Sequence, residues 1–418
     1  MDRIRIGLVG CGGMGTRHLY GMRELRRTGL ANADIVAVCD ARPENAELAA
    51  SEAEKLFDRR PEVYTSVEEM AERRRGSLDA VDIVTEPHLH HRLACAALER
   101  GLHVMVEKPM GLTVKACLMM MEAAARHGRK LSVNENYRRD PVNRLIKRMI
   151  DGGLIGRPYE MVHHSVGGGD RIVITPWRHL KVRGGITLDV GVHFADIILY
   201  YMGDAETVFG RAEVVREVRR RPANPNRPYA YHKRRLEEME ETVRPTAEDV
   251  SVATIRMANG AAVDWMLDQA AGRMGYFRRA VYGTEGAIAC PGERNGRPPT
   301  LHLDAREQPL TGREILEVLP DFELDEVTSA LFGQRATDYS FSGDEADIKI
   351  LGLEYHEFAE AIRNDRPPEV DGMAGLKAVA LVYAILESSA AGASVRFEDV
   401  ASGKVDAYQK EIDEAMGV

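Results

Sequence analysis

RIRIGLVGCGGMG, residues 3–15, is the stretch on which the fold turns. Residues 3–9 alternate and then run apolar, as a strand entering a core does. The run breaks into G-C-G-G-M-G, with glycines at positions 10, 12 and 15 that fit G-x-G-x-x-G. Gly10 allows the tight turn, Gly12 the close approach of a pyrophosphate, and Gly15 the close packing of helix on strand. Cys11, Gly13 and Met14 complete the loop, and the helix that follows points its first amides at phosphate. A glycine-rich turn alone is common, so its surroundings matter. Residues 34–39, DIVAVC, read as a second apolar strand that ends at Asp40. A carboxylate there accepts hydrogen bonds from ribose hydroxyls and repels a 2′-phosphate. NAD is therefore expected rather than NADP. Arg42 argues the other way, since an arginine there can meet a 2′-phosphate or stack on adenine.

The alternation continues along the first third. Helices read at 43–58, 88–100 and 113–127, and strands at 62–65, 80–85, 102–106 and 130–134. Strands alternating with helices at this spacing form a parallel, doubly wound sheet. In such sheets ligands bind at the C-terminal ends of strands. Two loops lie there, TEPHLHH (85–91) and VEKP (106–109), so Pro87, His88, His91, Glu107 and Lys108 are candidate cofactor contacts. His88, His90 and His91 also invite a metal reading. They lie at a helix start without a nearby cysteine or fourth ligand, so no metal is expected.

Composition sets the frame. The chain has 418 residues, 44% hydrophobic and 29% charged, as in ordinary globular domains. Its net charge of −9 gives no general attraction to nucleic acid or anionic membrane. No window of eighteen consecutive apolar residues marks a membrane span, and the first residues lack the layout of a signal peptide. The five cysteines form no C-x-x-C pair, which suits a reducing cytoplasm.

TLDVGVHFAD, residues 187–196, places Asp189 and His193 on one face of a mostly apolar helix. An acid and an imidazole held together near apolar surface suit a general base and its partner, or else a satisfied buried contact. A plain ion pair between Glu107 and Lys108 is disfavoured, because consecutive residues at a strand end point opposite ways.

GCGGMG, the strand-end Asp40, PHLHH, the EKP at Glu107–Pro109, Trp177–Arg178 and the TLDVGVHFAD helix occur in one order. With NYRRDPVNRLIKRMIDGGLIGRPYEM (136–161) and VYGTEGAI (281–288), the chain resembles the Gfo/Idh/MocA family. One departure is Arg183, where the family often has the first of three glycines. The resemblance implies a Rossmann domain followed by an α/β domain with a large, mostly antiparallel sheet. The expected boundaries are 1–135, 136–345, and C-terminal helices over 346–418 that pack back on the domains. It implies nicotinamide bound in the cleft between domains, with Lys108 at the reacting carbon and Asp189 and His193 in the helix motif. A homodimer or homotetramer through the broad sheet face is also implied.

His193 is the choice of base, since its ordinary pKa lies near neutrality. Lys108 would stabilise the developing oxygen charge, and Asp189 would orient the substrate hydroxyl or His193. Asn136, Tyr137, Arg138, His164, Trp177 and Arg178 are candidate substrate contacts, with Glu135, His163 and His179 nearby. Aromatic faces with polar edges suit a sugar ring. His163 and His164 share a strand, so only one can face the site, and His164 is preferred. Segments 220–247 and 292–345 read as insertions: lids, oligomer arms or solvated loops. Three functions follow. The first is NAD-dependent oxidation of a secondary hydroxyl on a carbohydrate or cyclitol. The second is a redox-neutral lyase or glycosidase that retains NAD. The third is a non-enzymatic NAD-binding regulator.

Overall fold

The computed structural model describes residues 3–222 and 236–418. Its contacts divide into two units, each with its own sheet. The first is built mainly from Met1–Asn136 and Asp347–Leu376, the second from Tyr137–Pro225, Met239–Ala346 and Lys377–Val418.

In the first unit β1 (Ile4–Val9), β2 (Ala33–Cys39), β3 (Glu62–Tyr64), β4 (Ala80–Ile83), β5 (His103–Glu107) and β6 (Leu131–Asn134) form one sheet in the order β3-β2-β1-β4-β5-β6. Every pairing in it is parallel. Apart from the short edge strand β3, the strands are mostly buried and rich in Val, Ile and Leu, as expected of a parallel sheet covered on both faces. The order reverses between β1 and β4, which makes that crevice the ligand-binding switch point of a Rossmann fold. The glycine loop leaves β1 there. Gly10 has φ 96°, and a Cβ on it would lie 2.5 Å from the Val84 carbonyl oxygen. Helix α1 (Gly13–Arg27) then starts at Gly12 without a side-chain cap.

Three of the other helices of this unit fall close to their expected places, and the short one after β3 was not expected. They are α2 (Pro43–Phe57), α3 (Val67–Arg73), α4 (Pro87–Glu99) and α5 (Val114–His127). A late helix, Gly343–Arg363, adds Leu351 and Gly352 against Gly21 of α1.

The second unit holds a nine-stranded sheet in the order β16-β15-β14-β13-β7-β12-β11-β8-β17, whose last strand β17 is Val395–Arg396. Its long strands are β7 (Pro158–Gly168), β8 (Ala205–Glu213), β11 (Val250–Met257), β12 (Ala262–Ala271) and β13 (Tyr276–Gly283). Neighbours are antiparallel except β7 and β12, which run parallel. Helix α6 (Pro141–Asp151) precedes β7, and helix α7 (Ile186–Met202) lies on one sheet face. Gly191 of α7 sits so close to Trp265 of β12 and to Val382 that a Cβ there would be 3.2–3.4 Å from their side chains. Val382 belongs to helix Gly372–Ala391, which is long and apolar enough to cross a membrane by composition alone; 72% of its apolar window is buried within the protein.

The 292–345 segment adds strands to this sheet. Its strands β15 (Thr300–Leu303) and β16 (Leu310–Thr311) extend the sheet beyond β14 (Gly286–Cys290). Of the 220–247 segment, residues 223–235 lie outside the described residues. Its flanks pair as a two-stranded ribbon, β9 (Arg219–Arg220) with β10 (Thr242–Val243).

Candidate active site

In the first unit the residues at the strand ends form a dinucleotide cradle. A Cβ on Gly15 would lie 2.1 Å from the Gly10 carbonyl oxygen, so the helix meets the loop at contact distance. Asp40, at the end of β2, accepts from the Cys11 amide (2.8 Å) and from the Arg42 amide (2.9 Å). These bonds fix its carboxylate beside the glycine loop and leave acceptor capacity for ribose hydroxyls. The uncapped N-terminus of α1 offers backbone donors to phosphate. The residues present therefore fit a dinucleotide. The exposed Arg42 side chain lies 4.0 Å from Glu238.

Pro87 is the first residue of α4, where a missing N–H costs nothing. His88 lies half-buried, 3.6 Å from Glu86. His90, not chosen from sequence as a cofactor contact, bridges the two strand-end loops. Its ring nitrogens lie 2.9 Å from the Pro109 carbonyl oxygen and 3.1 Å from that of Thr85. Burial, foremost, moves His90 below its ordinary pKa, and His91 likewise. Glu107 is buried, accepts the Lys108 amide at 3.0 Å, and meets His18 at 3.2 Å. Lys108 is half-buried and joined to Pro109 by a cis bond.

In the second unit α7 is apolar nearly all round, and so it is buried on most sides. Asp189 and His193 are buried one turn apart on it. The Asp189 carboxylate accepts from Nε of Arg178 at 2.7 Å, and Arg178 also donates to Thr175 at 2.6 Å. The Arg178 guanidinium lies over the Trp177 ring at 4.2 Å. The His193 ring stacks on Tyr137, with centroids 4.1 Å apart and planes 4° from parallel. Arg294 reaches the same Tyr137 ring at 5.1 Å, from a turn that gives it φ 50°. That turn is anchored: Glu293 is ion-paired with the buried Arg279 and accepts from Asn143 at 3.0 Å. Asn143 also donates to the Tyr137 carbonyl oxygen at 2.9 Å, so one amide ties Tyr137 and the turn together.

Residues 4–135 match the oxidoreductase family's NAD-binding Rossmann domain, and residues 147–397 match its C-terminal alpha/beta domain. The chain belongs to the Gfo/Idh/MocA family. Among similar Gfo/Idh/MocA proteins is the myo-inositol 2-dehydrogenase of Thermotoga maritima. It is 26% identical over 398 residues, covering 95% of this chain and 99% of that one. The levoglucosan dehydrogenase of Pseudarthrobacter phenanthrenivorans is 29% identical over 306 residues, 70% of this chain and 75% of its own. In fold, an NAD-binding oxidoreductase of Klebsiella pneumoniae matches with a TM-score of 0.77 at 23% identity, over 95% of this chain and 99% of that one.

One expected Gfo/Idh/MocA site residue faces elsewhere, and two expected substrate contacts have protein partners of their own. His164 does not share a sheet face with the α7 residues. It points to the opposite face, 2.9 Å from Asp264 and 3.3 Å from the Tyr276 hydroxyl. His163 is the inward one, packed on Phe194 at 4.1 Å, and burial, then Arg279, hold it well below its ordinary pKa. Asn136 is turned to Asp347, 2.8 Å away. Arg138 is paired with Asp196 at 2.9 Å. Sequence adjacency could not reveal these partners, which lie 58 to 211 residues away. Tyr137, Trp177 and Arg178 do cluster with Asp189 and His193. Arg294 and His18 carried no sequence signal, because each gains its position only through contacts distant in the chain. Among the described residues no group of three or more His, Cys, Asp or Glu could hold a metal ion.

Proposed function

We propose that the protein is an NAD-dependent dehydrogenase that oxidises a secondary hydroxyl of a sugar, sugar derivative or cyclitol. The observation that carries this reading is the buried Asp189/His193 helix, with the His193 ring stacked on Tyr137. Similarity to a myo-inositol dehydrogenase along nearly the whole chain supports it. Bound NAD supplies the hydride acceptor. NAD rather than NADP is favoured by Asp40, whose carboxylate would repel a 2′-phosphate beside the glycine loop.

His193 takes the hydroxyl proton as general base. Its ring plane is fixed by Tyr137, so little reorganisation accompanies proton transfer. Asp189 keeps a fixed carboxylate one turn away and favours the imidazolium that forms, while Arg178 orients that carboxylate. Lys108 donates to the substrate oxygen as it becomes a carbonyl. Tyr137 and Trp177 present ring faces to the carbohydrate. We also propose a homodimer or homotetramer formed through the sheet face opposite α7. Phe209 (59% exposed) and Tyr276 (49% exposed) lie on that face.

The test is turnover on a panel of sugars, glycosides and cyclitols with NAD. Lys108→Ala and His193→Ala should each lower kcat/KM by about 10²- to 10⁴-fold while NAD affinity holds. Unchanged turnover in His193→Ala would remove it as the base.

A further inference from the structure

Beneath the EKP loop the first unit buries a charged cluster that the reaction scheme leaves unexplained. His18 of α1, Asp82 of β4, Glu107 of β5, Asn134 of β6 and Tyr355 of helix Gly343–Arg363 are all buried. Strand register brings three of them to one sheet face. Asp82 pairs with Met105, two residues before Glu107, and Glu107 pairs with Asn134. Helix α1 supplies His18 between the two carboxylates. Its Nδ1 lies 2.7 Å from Asp82 Oδ2, and its Nε2 lies 3.2 Å from Glu107 Oε1. Two carboxylate oxygens on two ring nitrogens call for an N–H on each, and that is the imidazolium.

The remaining acceptors are also engaged. Asp82 Oδ1 accepts from Asn134 at 3.1 Å, and Oδ2 accepts from the Tyr355 hydroxyl at 2.5 Å. Glu107 Oε2 accepts from the Lys108 backbone amide at 3.0 Å. Each carboxylate oxygen of the pair therefore has a donor, which is the condition for burying such charges. Burial works against a charged ring, yet Asp82 and then Glu107 outweigh it and lift His18 to about 10. His18 thus keeps its charge across the physiological range.

One contact leads out of this cluster into the loop. Glu107 grips the Lys108 backbone amide. The orientation of that peptide sets the direction in which the Lys108 side chain leaves the end of β5. The Glu107 carboxylate in turn is held on its other oxygen by His18. We propose that His18 is a positioning residue for Lys108: its charged ring clamps Glu107, and Glu107 fixes the Lys108 amide and so the side chain's approach to the substrate. This rests on the reading of Lys108 as a catalytic residue.

The test separates positioning from mere stability. His18→Leu alone would leave two buried carboxylates without their cation. The double variant His18→Leu/Asp82→Asn removes one positive and one negative group, keeps the cluster's net charge, and still deprives Glu107 of its clamp. Active sites are counted by stoichiometric NAD binding, so that unfolded protein does not lower the apparent rate. The double variant should bind NAD within about threefold of the native affinity, yet its kcat per NAD site should fall about 10- to 100-fold, as a displacement near 1 Å can cause. The ¹⁵N-lysine spectrum should show the Lys108 amide, assigned by its loss in Lys108→Arg, shifted upfield as its bond to Glu107 loosens. A kcat per site within twofold of native, with an unmoved Lys108 amide, would overturn the proposal. If the double variant fails to fold, Glu107→Gln is measured in the same two ways. A lowered kcat per site with a shifted amide then supports the clamp, and native values of both overturn it. Lys108→Ala is run alongside: if it turns over normally, the catalytic reading of Lys108 fails, and that result is distinct from a silent His18 variant.

Discussion

Asp40 bears most directly on which cofactor is used. Its carboxylate is held by two backbone amides beside the glycine loop, so its removal should act on cofactor choice more than on folding. Asp40→Ala should weaken NAD binding by about 10- to 100-fold, the worth of a charge-assisted hydrogen bond, and raise the NADP-to-NAD preference. Quenching of reduced-cofactor fluorescence measures both, and an unchanged NAD affinity would take Asp40 out of the ribose site. At this scale the sequence was informative about residue types and poor about partners. Gly10, Asp40, Lys108, Asp189 and His193 stand in recognisable spacing, because each is set by a local turn or a single helix. The ion pair of Arg178 with Asp189 and the clamp of His18 on Glu107 were not legible. The second of these joins residues 89 positions apart, and no local period encodes such a contact. The same limit explains His164: alternation says that one of two adjacent histidines faces inward, but not which.

At the scale of elements, the turn carrying Arg294 depends on one buried pair. Arg279 on β13 is fully buried and balanced by Glu293. Glu293→Ala leaves that guanidinium buried without its carboxylate and should destabilise the protein by about 3–5 kcal/mol. The loss is read as a lower denaturation midpoint. A midpoint equal to the native one would mean that the pair does not hold the turn. Apart from the seven-residue α3, the parallel sheet and its helices were readable to within a few residues, since buried strands and amphipathic helices of ordinary length carry strong patterns. Strands β15 and β16 were not. One has four residues and the other two, too short for any alternation to register. They are strands because the edge of β14 offers them unpaired donors and acceptors, a tertiary cause with no local signature.

For the whole molecule, the buried imidazolium predicts how stability follows pH. The folded state raises His18 from 6.5 to about 10, so it binds the proton more tightly than the unfolded chain does. That contribution is complete below about pH 6.5 and is lost as pH rises through about 10. The thermal midpoint should therefore fall between about pH 7 and pH 10, and it should fall less in His18→Leu/Asp82→Asn. Equal slopes in the two proteins would assign the decline to other groups. Assembly is tested on the same material. Phe209→Asp with Tyr276→Asp should shift the sedimentation of the oligomer toward the monomer if the open sheet face joins the copies. The most direct test of the central claim is a turnover experiment that follows the reduced-nicotinamide band and the product together, on the best substrate of the panel. A dehydrogenase produces reduced cofactor and oxidised product in equal amounts. Substrate consumed with NAD required but no reduced cofactor accumulating would contradict net oxidation, and would mean that the hydride is returned after bond cleavage.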